Sequence, residues 1–291
     1  MAFNRLVSIG SALVDLQLFT PRLPTSGSDV LATDSLVSVG GSFNVESAAA
    51  RLGLPTVHTG SIGAGPNSRL VSEALAIEGI EFAGDQISDQ DVGICVTLVE
   101  PDGERSFITH TGAESVRSSQ SLERLELGPL DAVYLAGYDL AYPSSRQVLS
   151  DWLLSKPFNG AAVFFDPGPL VADIDPKVIE LLRQESFAIT ANEVETDFLG
   201  LSVNDRAWFV RRIGAAGCEL YEQGQLKLAV PAETVTVVDT TGAGDVHTGA
   251  LIASLAEAKS FADSLARANR AAAHCITRRG GASGPNAANL L

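Results

Sequence analysis

Short apolar runs alternate with longer helix-patterned stretches along most of this chain, and that rhythm limits the fold more than any other feature. Runs at Leu6–Ile9, Val57–Ile62, Ala132–Ala136, Ala161–Phe165, Phe187–Thr190 and Ala207–Arg211 have the length and apolar character of buried strands. Between them lie helical patterns at Phe43–Leu52, Arg69–Glu78, Ser144–Leu154 and Pro176–Gln184, the first two closed by Gly53 and Gly79. Repeated βα units predict an α/β fold with a mostly parallel central sheet. From Glu257 onward the pattern predicts two more helices, the second over Phe261–Ile276.

Two stretches break the rhythm. Asp29–Val39 places valines among polar residues, and Val92–Glu100 and Arg105–Thr109 are strand-like runs joined by the turn signal Pro101-Asp102-Gly103. They predict either a small separate β-sheet or edge strands of the main one. In 291 residues with 45% hydrophobic content, a packed core is expected rather than disorder.

A formal net charge of −15 argues against nucleic-acid and acidic-membrane partners. An anionic ligand must then be met by local devices such as helix N-termini. Cys95, Cys218 and Cys275 are far apart and form no CxxC pair, and no apolar stretch approaches a membrane span, so a cytoplasmic protein with reduced thiols is expected. His58, His110, His247 and His274 have no metal-ligand spacing and are expected to be structural or exposed.

Four segments carry chemical signals. In Val237-Val-Asp239-Thr-Thr241-Gly242-Ala243-Gly244-Asp245, an apolar run ends in small residues and a helix begins at about Asp245. Such a turn lets a ligand approach the backbone, and the free N–H groups and dipole of the helix start favour an anion there. Taken alone, Asp245 serves equally well as a plain N-cap. Gly40-Gly41-Ser-Phe-Asn44 opens another helix, either as a simple strand-to-helix turn or as a place for a ligand hydroxyl beside Asn44. Asp15 follows the first strand, where α/β proteins bind ligands. Asn192-Glu-Val-Glu195 follows the strand Phe187–Thr190, and its acids either complement the helix dipole or hold Mg²⁺ through water.

Together, and in this order, the four segments resemble the ribokinase-like, PfkB-type family of carbohydrate and nucleoside kinases over nearly the whole chain. The resemblance implies one three-layer αβα domain over residues 1–291, with a small β-sheet lid formed by about 12–39 and 91–111. It implies transfer of the γ-phosphoryl group of ATP to a hydroxymethyl group of a sugar or sugar-like alcohol. Asp245 then acts as general base, with the amides of Gly242, Ala243 and Gly244 as the anion hole. Asp15, Gly40, Gly41 and Asn44 match sugar-contacting positions. Asn192 and Glu195 match the Asn-x-x-Glu motif of the Mg²⁺ and phosphate region. Arg212, Gly214 and Gly217 match the nucleotide loop, and Asn269 an adenine-side position. Asp239, Thr241, Cys275 and Gly280 align with a monovalent-cation site, so K⁺ joins ATP and Mg²⁺ among the implied ligands.

The chain departs from the family pattern at three places. Few residues separate Glu195 from the strand at Ala207; His247 replaces a frequent aromatic; and Tyr138 or Asp139 stands where a sugar-binding Glu is common. The alternatives are a nucleoside kinase of the same fold, with Phe107 lining a base pocket, and a catalytically silent sugar- or nucleotide-binding regulator. An exposed lid edge would offer a route to a homodimer by strand pairing.

Overall fold

The computed structural model describes residues 2–290. Its strands in chain order are β1 (Arg5–Ile9), β2 (Ala12–Phe19), β3 (Asp34–Gly41), β4 (Thr56–His58), β5 (Glu81–Phe82), β6 (Ile94–Val99), β7 (Arg105–His110), β8 (Asp131–Ala136), β9 (Ala162–Asp166), β10 (Ala188–Asn192), β11 (Trp208–Arg212), β12 (Cys218–Glu222) and β13 (Gln225–Val230). The helices are α1 (Phe43–Arg51), α2 (Pro66–Ile77), α3 (Ser119–Glu123), α4 (Gly137–Ala141), α5 (Arg146–Leu154), α6 (Pro176–Glu185), α7 (Glu193–Leu199), α8 (Ala243–Ala256) and α9 (Phe261–Ile276).

A nine-stranded sheet in the order β13-β12-β11-β10-β9-β8-β1-β4-β5 forms the middle layer. All its pairings from β5 to β11 are parallel, and the β12–β13 hairpin adds an antiparallel edge. Because side chains alternate along a strand, Leu6, Tyr134 and Phe164 pack on one face with α1, α8 and α9. Val7, Val133, Leu135 and Phe165 pack on the other with α3 to α6. The result is the predicted three-layer α/β arrangement.

The irregular stretches form a separate four-stranded sheet, β3-β2-β6-β7. Its apolar side packs Val14 and Val39 with Ile62 and with Val71 and Leu75 of α2. Asp15, expected just past the first strand, instead lies within β2, because Gly10 and Ser11 turn the chain straight into a second strand.

Two further differences have local causes. Glu257 closes α8 rather than opening a helix: Ala258 has φ 59°, and Ser260 caps α9 by accepting from the Asp263 amide. The β12–β13 hairpin is absent from the strand expectations, yet Gln223 (φ 50°) and Gly224 (φ 70°) supply the left-handed turn that a two-residue hairpin loop needs. Among the described residues, no helix is long and apolar enough to cross a membrane.

Candidate active site

The carboxyl ends of β1, β8, β9 and β10 and the small sheet enclose a cavity of about 310 Å³, with Asp245 in its wall. Gly242, in a left-handed conformation (φ 72°), turns the chain into α8; a side chain there would collide with the Gly281 carbonyl oxygen. The helix therefore starts at Ala243, and Asp245 lies in its first turn. The Ala243 amide donates to the Thr240 carbonyl at 3.3 Å. Among the described residues no protein acceptor faces the Gly242 and Gly244 amides, so both donors are open.

Asn44, near the start of α1, donates from Nδ2 to Asp245 Oδ2 at 2.9 Å and joins the two glycine-rich segments. Burial and the nearby Asp166 charge push Asp245 up to about 6, against the opposing Asn44 bond and Arg212 charge. Burial and the charge of Asp245 push Asp15 up to about 7. Gly40 leaves the space Asp15 occupies, since a Cβ there would collide with Asp15 Oδ2. Gly41, Tyr138 and Asp15 line the cavity. Asp139 is committed elsewhere: its carboxylate accepts from Ser11 Oγ (2.6 Å) and the Ser11 amide (3.0 Å) and faces Arg117 at 3.4 Å. Tyr138 is thus the freer of the two candidates for an acceptor contact.

At the carboxyl end of β10, Asn192 and Glu195 form a reciprocal capping box at α7, so the motif does structural work as well as facing the cavity. Burial, reinforced by Asp166, raises Glu195 above its ordinary value. Arg212 pairs with Asp166 at 2.7 Å and Glu195 at 3.5 Å, and also donates to Thr248 Oγ1 and the Gly244 carbonyl. Asp166, which the sequence reading does not single out, directly follows the expected strand Ala161–Phe165 and precedes Pro167-Gly-Pro169, the same positional signal as at Asp15.

Beside this cavity lies a more apolar one of about 520 Å³, bordered by Gly214, Gly217, Val235, His247, Asn269 and Ile276. Asn269 Nδ2 is bound to the carbonyls of Val230 and Pro231 at 3.0 and 3.1 Å, which holds the segment after β13 against α9. His247 is buried in the wall; burial and Arg212 lower it to about 3, so it is neutral.

The donors present discriminate between the implied ions. Among the described residues no group of three or more His, Cys, Asp and Glu side chains forms a metal site by itself. Asp166 and Glu195 nevertheless fit Mg²⁺ arriving with phosphates, because that ion keeps several waters and needs only one or two carboxylates. The residues aligned with a K⁺ site also gather: Cys275 Sγ lies 3.7 Å from the Thr241 carbonyl oxygen and 3.8 Å from that of Gly281. Their anionic member, Asp239, accepts from the amides of Thr241 (2.9 Å) and Gly280 (3.0 Å), and Arg105 already pairs with it at 2.6 Å. Arg105 thus already neutralises the one carboxylate of that set.

The family model described as pfkB family carbohydrate kinase matches residues 4–288. The chain belongs to the pfkB family. This pfkB kinase is 32% identical over 302 residues to the uncharacterized sugar kinase YegV of Escherichia coli, covering 97% of the chain and 92% of that protein. Its fold matches the crystal structure of ribokinase from Thermotoga maritima with a TM-score of 0.79 at 24% identity, covering 99% and 98% of the two chains. It also matches a Burkholderia thailandensis nucleoside kinase in complex with inosine, with a TM-score of 0.81 at 17% identity over 98% and 94%. Membership makes the pfkB kinase a phosphotransferase that works by the family's ATP-dependent chemistry.

Proposed function

We propose that the protein phosphorylates a hydroxymethyl group of an uncharged sugar or sugar-like alcohol, with Asp245 as the general base. One observation carries this reading: Asp245, bound by Asn44 and raised to about 6, borders the same cavity as the open amides of Gly242 and Gly244. The acceptor oxygen attacks the γ-phosphorus, the bond to the ADP oxygen breaks, and the hydroxyl proton passes to Asp245. The Gly242 and Gly244 amides meet the charge on the transferring group. Arg212 stands ready to exchange an ion pair for phosphate. Glu195 and Asp166 would hold Mg²⁺, which would supply neutralisation of phosphate charge, and Asn192 keeps Glu195 oriented. The apolar cavity at Gly214, Gly217 and Asn269 takes the nucleoside part of ATP, and the small sheet acts as the lid that excludes water.

The acceptor end of the cavity is lined by Asp15, Asn44, Cys95, Phe107, Thr109 and Tyr138, with no basic side chain. Arg117 is buried and spent on Asp139 and on the carbonyls of Gly10 and Thr59, Arg105 is paired with Asp239, and Arg212, which borders the same cavity, is paired with Asp166 and Glu195. A carboxylate or phosphate on the acceptor would therefore face Asp15 uncompensated, which favours neutral acceptors over sugar acids and sugar phosphates. A second reading, a nucleoside acceptor, draws on Phe107, whose ring is 60% exposed and borders the cavity, where a base would stack. ADP release measured with MgATP and ribose, fructose, 2-keto-3-deoxygluconate, ribose 1-phosphate and nucleosides tests both. Turnover on a neutral sugar supports the first reading, turnover only on nucleosides supports the second, and preference for the charged compounds contradicts the neutral pocket.

A further inference from the structure

The inner face of the small sheet repeats one pattern on two strands. Residues two apart on a strand share a face. On β7, Thr109 and Phe107 line the acceptor end of the cavity, and the next residue on that face is Arg105. Its Nη1 donates to Thr240 Oγ1 at 2.7 Å and its Nη2 to Asp239 Oδ1 at 2.6 Å. On β2, Asp15 lines the cavity, and Gln17, two residues on, donates from Nε2 to Thr241 Oγ1 at 3.3 Å. Phe19, two further, lies under the Arg279 guanidinium, 4.5 Å from ring centroid to Cζ. Both strands thus touch the acceptor cavity and, at the next position on the same face, the loop Asp239–Thr241.

That loop leads without a break into Gly242 and Asp245. Asp239 is its fastening point, since its carboxylate holds the Thr241 amide on one side and the Gly280 amide on the other. Arg105 completes the arrangement in a sheltered place, with side-chain exposures of 18% for the arginine and 6% for the aspartate. Charge-assisted bonds of this length between partly buried groups restrain geometry more strongly than surface ion pairs do.

We propose that Arg105 is a positioning residue that ties the β7 strand, one wall of the acceptor site, to the loop presenting Gly242, Gly244 and Asp245. An acceptor resting on Phe107 and Thr109 steadies β7, and through Arg105 it steadies the transfer loop. The proposal rests on the reading of the 242–245 segment as the transfer site.

The test compares the wild type with Arg105→Met and Arg105→Lys in two measurements. The first is steady-state kinetics on the best acceptor of the panel. The second is amide hydrogen exchange across 239–245 in the ligand-free protein. Arg105→Met is expected to lower kcat roughly ten- to a hundredfold, with acceptor KM changing by less than about threefold. Exchange at 239–245 is expected to rise about tenfold while strands β1 and β8 stay protected, and Arg105→Lys should recover part of both losses. Unchanged exchange at 239–245, unchanged kcat, or an effect confined to KM overturns the proposal. If the wild type phosphorylates nothing in the panel, the assigned function fails, and the exchange comparison still decides whether Arg105 holds the loop.

Discussion

Replacing Asp245 with Asn should abolish useful turnover and make the protein more stable, and the two effects have one cause. The Asp245 carboxyl titrates at about 6 in the folded protein, against about 3.9 for an ordinary aspartate. Below the lower value it is protonated in both states and costs nothing. Between the two, the unfolded chain gives up its proton while the folded protein keeps it, so folding stability falls as pH rises. Above about 6 both states are ionised, and the deficit stays at about 3 kcal/mol at most, from about 1.4 kcal/mol per pH unit. The Asp245→Asn substitution removes that deficit and keeps a polar partner for Asn44. It also removes the charge that helps raise Asp15, which acts in the same direction. At pH 8 the expected gain is a few kcal/mol, a rise in Tm of roughly 5 °C, fading toward zero near pH 4. Loss of the general base should lower kcat by about 10²- to 10⁴-fold. Thermal melts of both proteins at pH 4, 6 and 8, with kcat at pH 8, make the comparison. A variant no more stable than wild type at pH 8, or one with a pH-independent gain, refutes the argument that burial and repulsion raise this carboxyl; retained turnover refutes its role as base.

Other outcomes follow from the same geometry. The acid limb of the kcat/KM profile should fall as Asp245 is protonated near pH 6. Asn44→Ala removes a bond that lowers that value, so it should move the limb to higher pH and reduce kcat about tenfold or more; a limb that stays in place or moves down counts against the pairing. Because Arg105 already neutralises Asp239, kcat in potassium chloride and tetramethylammonium chloride at equal ionic strength should agree within about twofold; activation by K⁺ of tenfold or more contradicts that. Phe107→Ala should raise KM for a nucleoside roughly tenfold through lost stacking and leave KM for a monosaccharide nearly unchanged; equal effects on both remove the argument for a base-stacking wall.

Much of the fold could be read from the chain because parallel strands buried on both faces appear as continuous apolar runs, and β1, β8, β9 and β10 are such runs. Boundaries were less legible where one residue changes the geometry. Gly242 shifts the start of α8 ahead of Asp245, and Ala258 ends the same helix after Glu257. In the site, residues within glycine-rich signatures were visible because small residues before a helix have a local physical meaning. Asp166 and Arg105 were not singled out, because their importance comes from partners distant in sequence. Arg212 lies 46 residues from Asp166, and Asp239 lies 134 from Arg105. Asn192 and Glu195 illustrate another limit, since one pair of side chains both caps α7 and borders the cavity, and the sequence does not reveal the reciprocal cap.

The most direct measurement is ³¹P NMR of the product formed from MgATP and each acceptor in the panel, with ADP quantified in parallel. A phosphate monoester on the primary hydroxyl of a neutral acceptor, in one-to-one ratio with ADP and lost in Asp245→Asn, is the predicted result. ADP accompanied only by inorganic phosphate, or an ester formed equally well by the Asp245→Asn variant, contradicts the assignment of Asp245 as the base for transfer to an alcohol.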